Sequence, residues 1–581
     1  MALDNRALAS RLDELAMLLE LHGENAFRVR AFSGAARQVK GLEEPVAERL
    51  AAGTLRDVKG IGPAIAEVLA ELVASGDCTL HRDLLARTPG GLLEMLDLPG
   101  LGPRKVRAIH EGLGIQSLGE LEYACLENRL VTLEGFGPKT QDKILAAIAF
   151  HKRHRGLLLA GDLRPPAERL QQWLSEVSGV VAVLPAGPFA RRLEVVERVE
   201  YIVVGLAAEA LAEALRRNDA WESGDSGDPV LTGRFEGVFP VRLVAATAAD
   251  AGWTQLTETG SPAFLEALEA SVPPDHPVGR RFRGEAAPPY ATEAEVFAAL
   301  GLAVVPPELR EDGAIVARAR EGRLPDLVTP EDLAGVFHVH TTDSDGSASV
   351  EAMARAALAR GWSYLGISDH SEAASYARGL DRDRLALQRA EIARVQRLLP
   401  EIRLFHGIEA DILPDGSLDY DDETLLGFDF VVASIHQRAG LDREAMTARL
   451  VRAASHPCVT MLGHLTGRLL LAREPYAFDL EPVLEAAAAN GVAIELNANP
   501  HRLDLDWRDV PAARARGLTI AINPDAHSIP GLDDTRFGID MARKAGLSAP
   551  EVLNTRSAAD MESTLEARRL RARQALLPAG F

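Results

Sequence analysis

Val336-Phe-His338-Val-His340, followed closely by Ser344-Asp345-Gly346, decides the fold of the C-terminal half. Val336–Val339 is apolar and reads as a strand. Side chains alternate along a strand, so His338 and His340 point to one side. The spacing returns in Asp525-Ala-His527, just beyond a second apolar strand, Thr519–Asn523. Five more short apolar strands lie between them: Tyr364–Ser368, Leu404–Ile408, Phe430–Ser434, Thr460–Gly463 and Val492–Leu496. Ala/Arg/Leu-rich helical stretches separate them, and seven strand–helix repeats predict a parallel, barrel-like sheet. Ligand-type residues stand at the C-terminal ends of these strands: Asp345, His370, Glu409, His436 and His464. In such barrels that end is where active sites gather.

Nine of the fifteen histidines lie beyond residue 335. A lone histidine is more often a core or surface residue than a ligand, and His406, His456 and His501 are read that way. A set of imidazoles and carboxylates at successive strand ends suits Zn²⁺, Mn²⁺ or Fe²⁺ and hardly suits Ca²⁺. The spacing resembles the PHP phosphoesterase family (polymerase and histidinol phosphatase). The resemblance carries the metal ligands onto His338, His340, Asp345, His370, Glu409, His436, His464, Asp525 and His527. It implies a distorted (β/α)7 barrel and two or three divalent metal ions, Mn²⁺ or Zn²⁺. Such ions activate a bound water and neutralise phosphate charge. Asp369, beside His370, is a candidate partner behind a ligand histidine. Arg468 is a candidate phosphate clamp; it reads equally as a surface arginine.

At the other end of the chain one pattern appears three times: Gly60-Ile-Gly62, Gly100-Leu-Gly102 and Gly135-Phe-Gly137. Each is followed by Pro and a helical stretch: Ala64–Leu72, Arg104–Glu111 and Lys139–Ala147. The pattern resembles the helix-hairpin-helix motif. Its glycines permit a tight turn, and the amides at the next helix start can hold a DNA phosphate. Lys105 and Lys139 stand where they could add charge. Plain interhelical turns are the other reading.

The chain has 581 residues and a net charge of −21. Residues 1–155 carry 20 Lys+Arg against 21 Asp+Glu, which leaves −20 to the rest. A near-neutral start ending in the basic knot His151-Lys-Arg-His-Arg155 fits nucleic acid better than the total suggests. The acidic remainder suits a metal-binding body, or simply solubility. Three scattered cysteines fit a reducing compartment. Met1–Asn5 leads into an amphipathic stretch, not an apolar signal segment, and no apolar run is long enough to span a membrane. The expectation is a cytoplasmic protein.

Hairpins at the start and a PHP-like barrel at the end together resemble bacterial family X DNA polymerases. Asn25-Ala-Phe-Arg-Val-Arg-Ala-Phe32, Thr259-Gly-Ser261 and Pro306-Pro-Glu-Leu-Arg310 add to the likeness. The resemblance implies a multidomain α/β chain. Residues 1–155 form the helical DNA-binding region and 156–320 an α+β nucleotidyltransferase-like middle. Residues 321–332 form a Pro-containing linker and 333–575 the PHP domain. It also implies a bacterial, nucleoid-associated protein with DNA (gaps, nicks or 3′ ends) as partner, repair proteins as company, and a 3′-5′ exonuclease, with cleavage at damaged sites as a further activity.

The middle departs from that family. Its relatives place Gly-Asp-hydrophobic-Asp on one strand and a third Asp on the next. Here the aligned positions are Arg198, Glu200 and Pro240, and Pro188 replaces a serine that touches triphosphate. A shifted register offers Glu194 or Glu197 without restoring the pattern. The helix after the first hairpin has Val68 where lyase-active relatives have a lysine. The expectation is a silent polymerase module, an active exonuclease and no lyase. A working gap-filling polymerase and a non-catalytic DNA-binding scaffold are the alternatives.

Overall fold

A computed structural model describes residues 3–42, 44–437 and 440–576 and places most strand-forming apolar runs and amphipathic helices where the sequence pattern puts them. The chain divides into two units, Met1–Arg155 and Gly156–Phe581.

The first unit is helical. Leu8, Leu12, Leu15, Leu18 and Leu19 recur at helical spacing on helix Asn5–Leu21, and all are buried. The Asp4 carboxylate caps that helix by accepting from the Ala7 N–H. Helices Pro63–Ser75, Pro103–Leu113 and Pro138–His154 each begin with Pro at the first turn, directly after a hairpin. Val106, Ile109, Leu121, Ile144 and Ile148 build a second core beneath the later hairpins.

The second unit holds two sheets. The first has five strands: β1 (Ala182–Ala186), β2 (Val199–Val204), β3 (Trp221–Gly227), β4 (Val230–Phe235) and β5 (Phe239–Ala246), in the order β1-β2-β5-β4-β3. Only β2 and β5 run parallel. The apolar runs Val180–Leu184, Tyr201–Val204 and Val238–Val244 read as strands from sequence and fall on β1, β2 and β5, whereas the β3–β4 ribbon has no such run.

The other sheet is all parallel: β6 (Gly335–Val336), β7 (Tyr364–Ile367), β8 (Arg403–Asp411), β9 (Phe430–Ser434), β10 (Met461–Leu462), β11 (Ala493–Asn497) and β12 (Ile520–Asn523). Each expected strand is present, in sequence order. A parallel bridge between Val339 and Ala526 brings the first and last strands together, so the barrel is nearly closed. An aromatic plug fills its lower end: Phe337 lies 4.9 Å edge-on to Phe430 and 5.4 Å from Tyr364. Gly407 makes room for it, since a Cβ there would sit 2.3 Å from the Phe430 ring.

The segment read as a linker, 321–332, is packed against the barrel. Val328 is fully buried and donates its N–H to the Leu547 carbonyl at 2.9 Å. Ion pairs Arg543–Glu308 (2.9 Å) and Lys544–Glu311 (2.8 Å) fix the barrel to the middle region on either side of it. Apolar burial and charge pairing override what Pro325 and Pro330 suggest. No helix among the described residues is long and apolar enough to cross a membrane.

Candidate metal centre

The strand ends converge. His338 and His340 follow β6, His370 follows β7, Glu409 lies on β8, and His436, His464, Asp525 and His527 follow the later strands. Asp345 joins from the loop after His340. These nine side chains form four overlapping groups whose candidate ligand atoms lie within 4.8 Å of one another in each group. They are the nine named from sequence. Glu409, almost fully buried, stands at the centre. Its Oε1 lies 3.2 Å from His338 Nε2, 3.2 Å from His436 Nε2 and 3.0 Å from His464 Nε2, and its Oε2 lies 2.9 Å from His370 Nδ1. Asp525 Oδ1 is 3.3 Å from His340 Nε2, and Asp345 Oδ1 is 3.4 Å from His527 Nε2.

Many of these contacts are close without hydrogen-bond geometry. His338 Nε2, both ring nitrogens of His340, His370 Nδ1, His464 Nδ1 and Glu409 Oε2 are buried with no hydrogen-bond partner among the described residues. Leaving such a group unsatisfied costs about 1–3 kcal/mol each. A cation accepting their lone pairs removes that cost, so the donor set fits divalent metal ions of the Zn²⁺ or Mn²⁺ kind.

The electrostatics agree. Burial, with His370 and His527 nearby, pushes His340 down to about 3, so it is neutral at pH 7. Burial also opposes charge on His338, His436 and His527, but the carboxylates outweigh it. His338 rises well above its usual value beside Glu495, Asp525 and Glu409. His436 rises to about 10 beside Glu409 and Asp411, and His527 to about 9 beside Asp345 and Asp525. Burial alone would raise Glu409 and Asp525, yet the imidazoles hold both well below the carboxylate range. The carboxylates are thus balanced by imidazolium protons. Metal ions bring equivalent charge and displace those protons.

Residues behind the cluster set its geometry. His338 Nδ1 donates to Glu495 Oε1 at 2.7 Å, which turns the Nε2 lone pair inward. Glu495 also accepts from the His464 N–H (2.7 Å) and Asn523 Nδ2 (3.0 Å). His436 Nδ1 donates to Asp411 at 3.2 Å. Sequence reading missed both acids. Glu409-Ala-Asp411 repeats the alternation of His338-Val-His340, and Glu495 is a lone carboxylate in an apolar strand; either signal would have found them.

Two expected supports have other partners. Asp369 does not bind a histidine. It accepts from the Thr341 N–H and hydroxyl, both at 2.7 Å, from the Ser344 hydroxyl, and from Gln388 Nε2 at 2.6 Å. It therefore shapes the loop that delivers Asp345. Arg468 is not a free phosphate clamp either. It is buried, and its guanidinium is committed to Asp506 and to the Arg502 and Leu503 carbonyls.

The middle sheet has no comparable site. Glu200 on β2 pairs in register with Arg242 on β5, one residue to each side of the Val199–Val241 and Tyr201–Leu243 pairs. Its carboxylate meets Arg242 at 3.0 Å and Arg198 at 3.3 Å, while Arg242 also binds Glu258 at 2.5 Å. Pro240 lies nearby on β5. Glu194 faces the barrel, where it accepts from Trp507 Nε1 (3.2 Å) and Arg508 (2.5 Å). Among the described residues, no group able to hold a metal lies in this sheet.

In the helical unit, Gly60, Gly100 and Gly135 have φ of +95°, +87° and +84°, where only glycine is unstrained. The intervening Ile61, Leu101 and Phe136 are buried, so the hairpins turn their glycines and helix starts outward. Gly62, Gly102 and Gly137 cap those helices without a side chain. Lys105 and Lys139 are exposed beside them, and Lys105 Nζ donates to the Gly100 carbonyl at 2.9 Å. Val68 packs into the helical core.

Comparison with known proteins matches residues 3–78 to a helix-hairpin-helix domain, residues 92–149 to a SAM-like helix-hairpin-helix tandem and residues 337–499 to the PHP domain. The chain is 32% identical over 577 residues to the DNA polymerase/3′-5′ exonuclease PolX of Bacillus subtilis, covering 96% of this chain and 98% of that one. Over a shorter stretch of 175 residues the chain is 29% identical to a probable phosphatase of Thermoanaerobacter sp. (strain X514), covering 27% of this chain and 68% of the phosphatase. A probable phosphatase of Acetivibrio thermocellus is 30% identical over 164 residues, covering 28% and 63%.

Proposed function

The chain belongs to the bacterial family X DNA polymerases with a PHP domain, and on that premise we propose that its working centre is the barrel cluster, which removes nucleotides from DNA 3′ ends. The observation that carries this reading is the set of buried, unpartnered nitrogen and oxygen atoms converging at the strand ends. The nine residues hold two or three divalent ions, Mn²⁺ or Zn²⁺. Ions bound there supply an activated water and neutralise phosphate charge. Glu409 bridges the groups. Glu495 and Asp411 keep His338 and His436 in the tautomers that present a lone pair. Gln388 and Asp369 hold Asp345 in place through the Thr341–Ser344 loop.

The hairpins bring DNA by its backbone, at gaps, nicks or ends, without reading sequence. Gly60, Gly62, Gly100, Gly102, Gly135 and Gly137 expose the amides, and Lys105 and Lys139 add charge. The middle module is silent as a polymerase, because Arg198 and Pro240 stand where a metal needs carboxylates and Arg198 and Arg242 occupy the remaining acid, Glu200. One observation favours the alternative of a working polymerase: the likeness to the Bacillus subtilis protein runs through the middle module as well.

Elemental analysis and a nuclease assay on one sample test the proposal. Metal-loaded protein should shorten an oligonucleotide from its 3′ end. His338→Ala should lose both metal and cutting while keeping its circular dichroism. Full cutting by that variant overturns the ligand assignment. Extension of a gapped primer with dNTPs overturns the silent module.

A further inference from the structure

Two residues outside the nine stand at the mouth of the cluster. Ser371–Leu380 leaves the barrel directly after His370 and carries Tyr376, which is 66% exposed. Its ring centroid lies 5.9 Å from that of His370 and 6.1 Å from that of His436. The turn beneath it is braced. Arg378, at φ +57°, donates to the Thr342 and Ser344 carbonyls. Arg384 donates to the Arg378 carbonyl at 2.6 Å and the Gly379 carbonyl at 3.1 Å. Gly379 is packed so tightly that a Cβ would fall 1.8 Å from the Ser371 carbonyl oxygen. An exposed aromatic on a rigid turn beside a buried polar centre is a stacking platform.

Arg502 approaches from the loop after β11. Its guanidinium lies 3.5 Å from Asp525 Oδ2. Its backbone is fixed from two sides: its N–H donates to the Asn499 carbonyl at 2.8 Å, and its carbonyl accepts from Arg468 Nε at 2.9 Å. Arg468 thus serves the site at one remove, by bracing the loop that presents Arg502.

We propose that Tyr376 and Arg502 form a nucleotide-holding rim, in which Arg502 binds the phosphate and Tyr376 stacks the base of the 3′-terminal nucleotide. This rests on the reading of the cluster as a 3′-end phosphodiesterase and names what that site recognises. A planar guanidinium suits a phosphate's paired oxygens. A π-face accepts any base, which fits removal of nucleotides regardless of sequence.

Calorimetric titration of the Mn²⁺-loaded full chain with dAMP and with 2-deoxyribose 5-phosphate separates base from phosphate. Wild type should bind dAMP about five- to hundredfold more tightly, the range that base–aromatic stacking supplies. Tyr376→Ala should erase that ratio without changing binding of the sugar phosphate, and Tyr376→Phe should keep it. Arg502→Gln should weaken both ligands alike. Equal wild-type affinities, or a ratio that survives Tyr376→Ala, overturns the rim. Oligonucleotide shortening by the same sample reads the parent assignment separately. Absence of cutting with the base-dependent ratio intact removes the exonuclease reading and leaves the rim standing.

Discussion

The barrel and the middle region both bring acids together, and they treat them in opposite ways. In the barrel, Glu409, Asp525 and Asp345 face imidazoles, several of whose nitrogens have no hydrogen-bond partner. In the middle region, Glu200 on β2 and Glu258 on the helix Ala251–Thr259 face arginines that answer their charge directly. Imidazole can give up its proton and offer a lone pair; guanidinium cannot. The difference teaches that acidic clustering alone does not make a metal centre. The basic partner decides whether a cation can enter.

The comparison breaks first at Glu409, where the largest effect is expected. Glu409→Gln removes the charge that four imidazoles share, and nuclease activity and bound metal should both fall to background. Metal content is read by elemental analysis after gel filtration. Retention of a full complement of ions would mean that the cluster does not depend on its central carboxylate.

Glu495→Gln sharpens the same point from behind. The amide can still accept from His338 Nδ1 but carries no charge. Metal affinity should drop about ten- to hundredfold, as for other residues that orient a ligand. Competition with a chelator measures this, and an unchanged affinity would reduce Glu495 to packing.

In the middle sheet the expected loss is of stability, not chemistry. Arg242→Ala leaves Glu200, which is buried, without its principal partner. Breaking a fully buried pair costs about 3–5 kcal/mol, and partial exposure of Arg242 reduces this to about 2 kcal/mol. Urea unfolding should register it, with exonuclease activity unaffected.

These contrasts show what was legible beforehand. The buried leucines of the first helix follow from periodicity, because burial on one face leaves a local trace, and the strand Phe430–Ser434, buried on both faces, follows from its unbroken apolar run. The nine cluster residues were legible because histidine is scarce and the strand ends are regularly spaced. Asp369 and Arg468 were placed in the right neighbourhood with the wrong partners. Their true partners, Ser344 and Asp506 among them, lie 25 and 38 residues away, and no local pattern encodes that pairing. Trp221-Glu-Ser-Gly-Asp-Ser-Gly227 lacks apolar alternation, so its strand exists only through pairing with β4. The linker at 321–332 makes a related point. Prolines mark a break in regular structure, but whether the break moves depends on what packs over it.

His406 tests a subtler difference, between histidines that serve the cluster and one that serves the fold. Burial, with Arg389 beside it, pushes His406 down to about 3. Its Nε2 donates to Gln388 Oε1 at 3.2 Å, so the neutral ring anchors the network that ends on Asp369. Below about pH 6.5 the unfolded chain gains a proton here that the fold refuses, until pH approaches the folded value. Stability is therefore lost progressively as pH falls, by about 2 kcal/mol near pH 5. His406→Gln should flatten that part of the unfolding profile relative to wild type, and an unaltered slope would show that the ring is protonated in the fold.

The smallest effect belongs to the hairpins, whose contact with DNA is spread over many groups. Lys139→Ala should weaken duplex binding uniformly across sequences and lower the slope of log affinity against log salt by about 1. Hydrolysis of a short diester that cannot reach the helical unit should stay the same. If the variant changed that hydrolysis but not the salt slope, Lys139 would act through the fold and not through a phosphate. The division of labour between hairpins that grip and a barrel that cuts would then have to be redrawn around Gly60, Gly100 and their exposed helix starts.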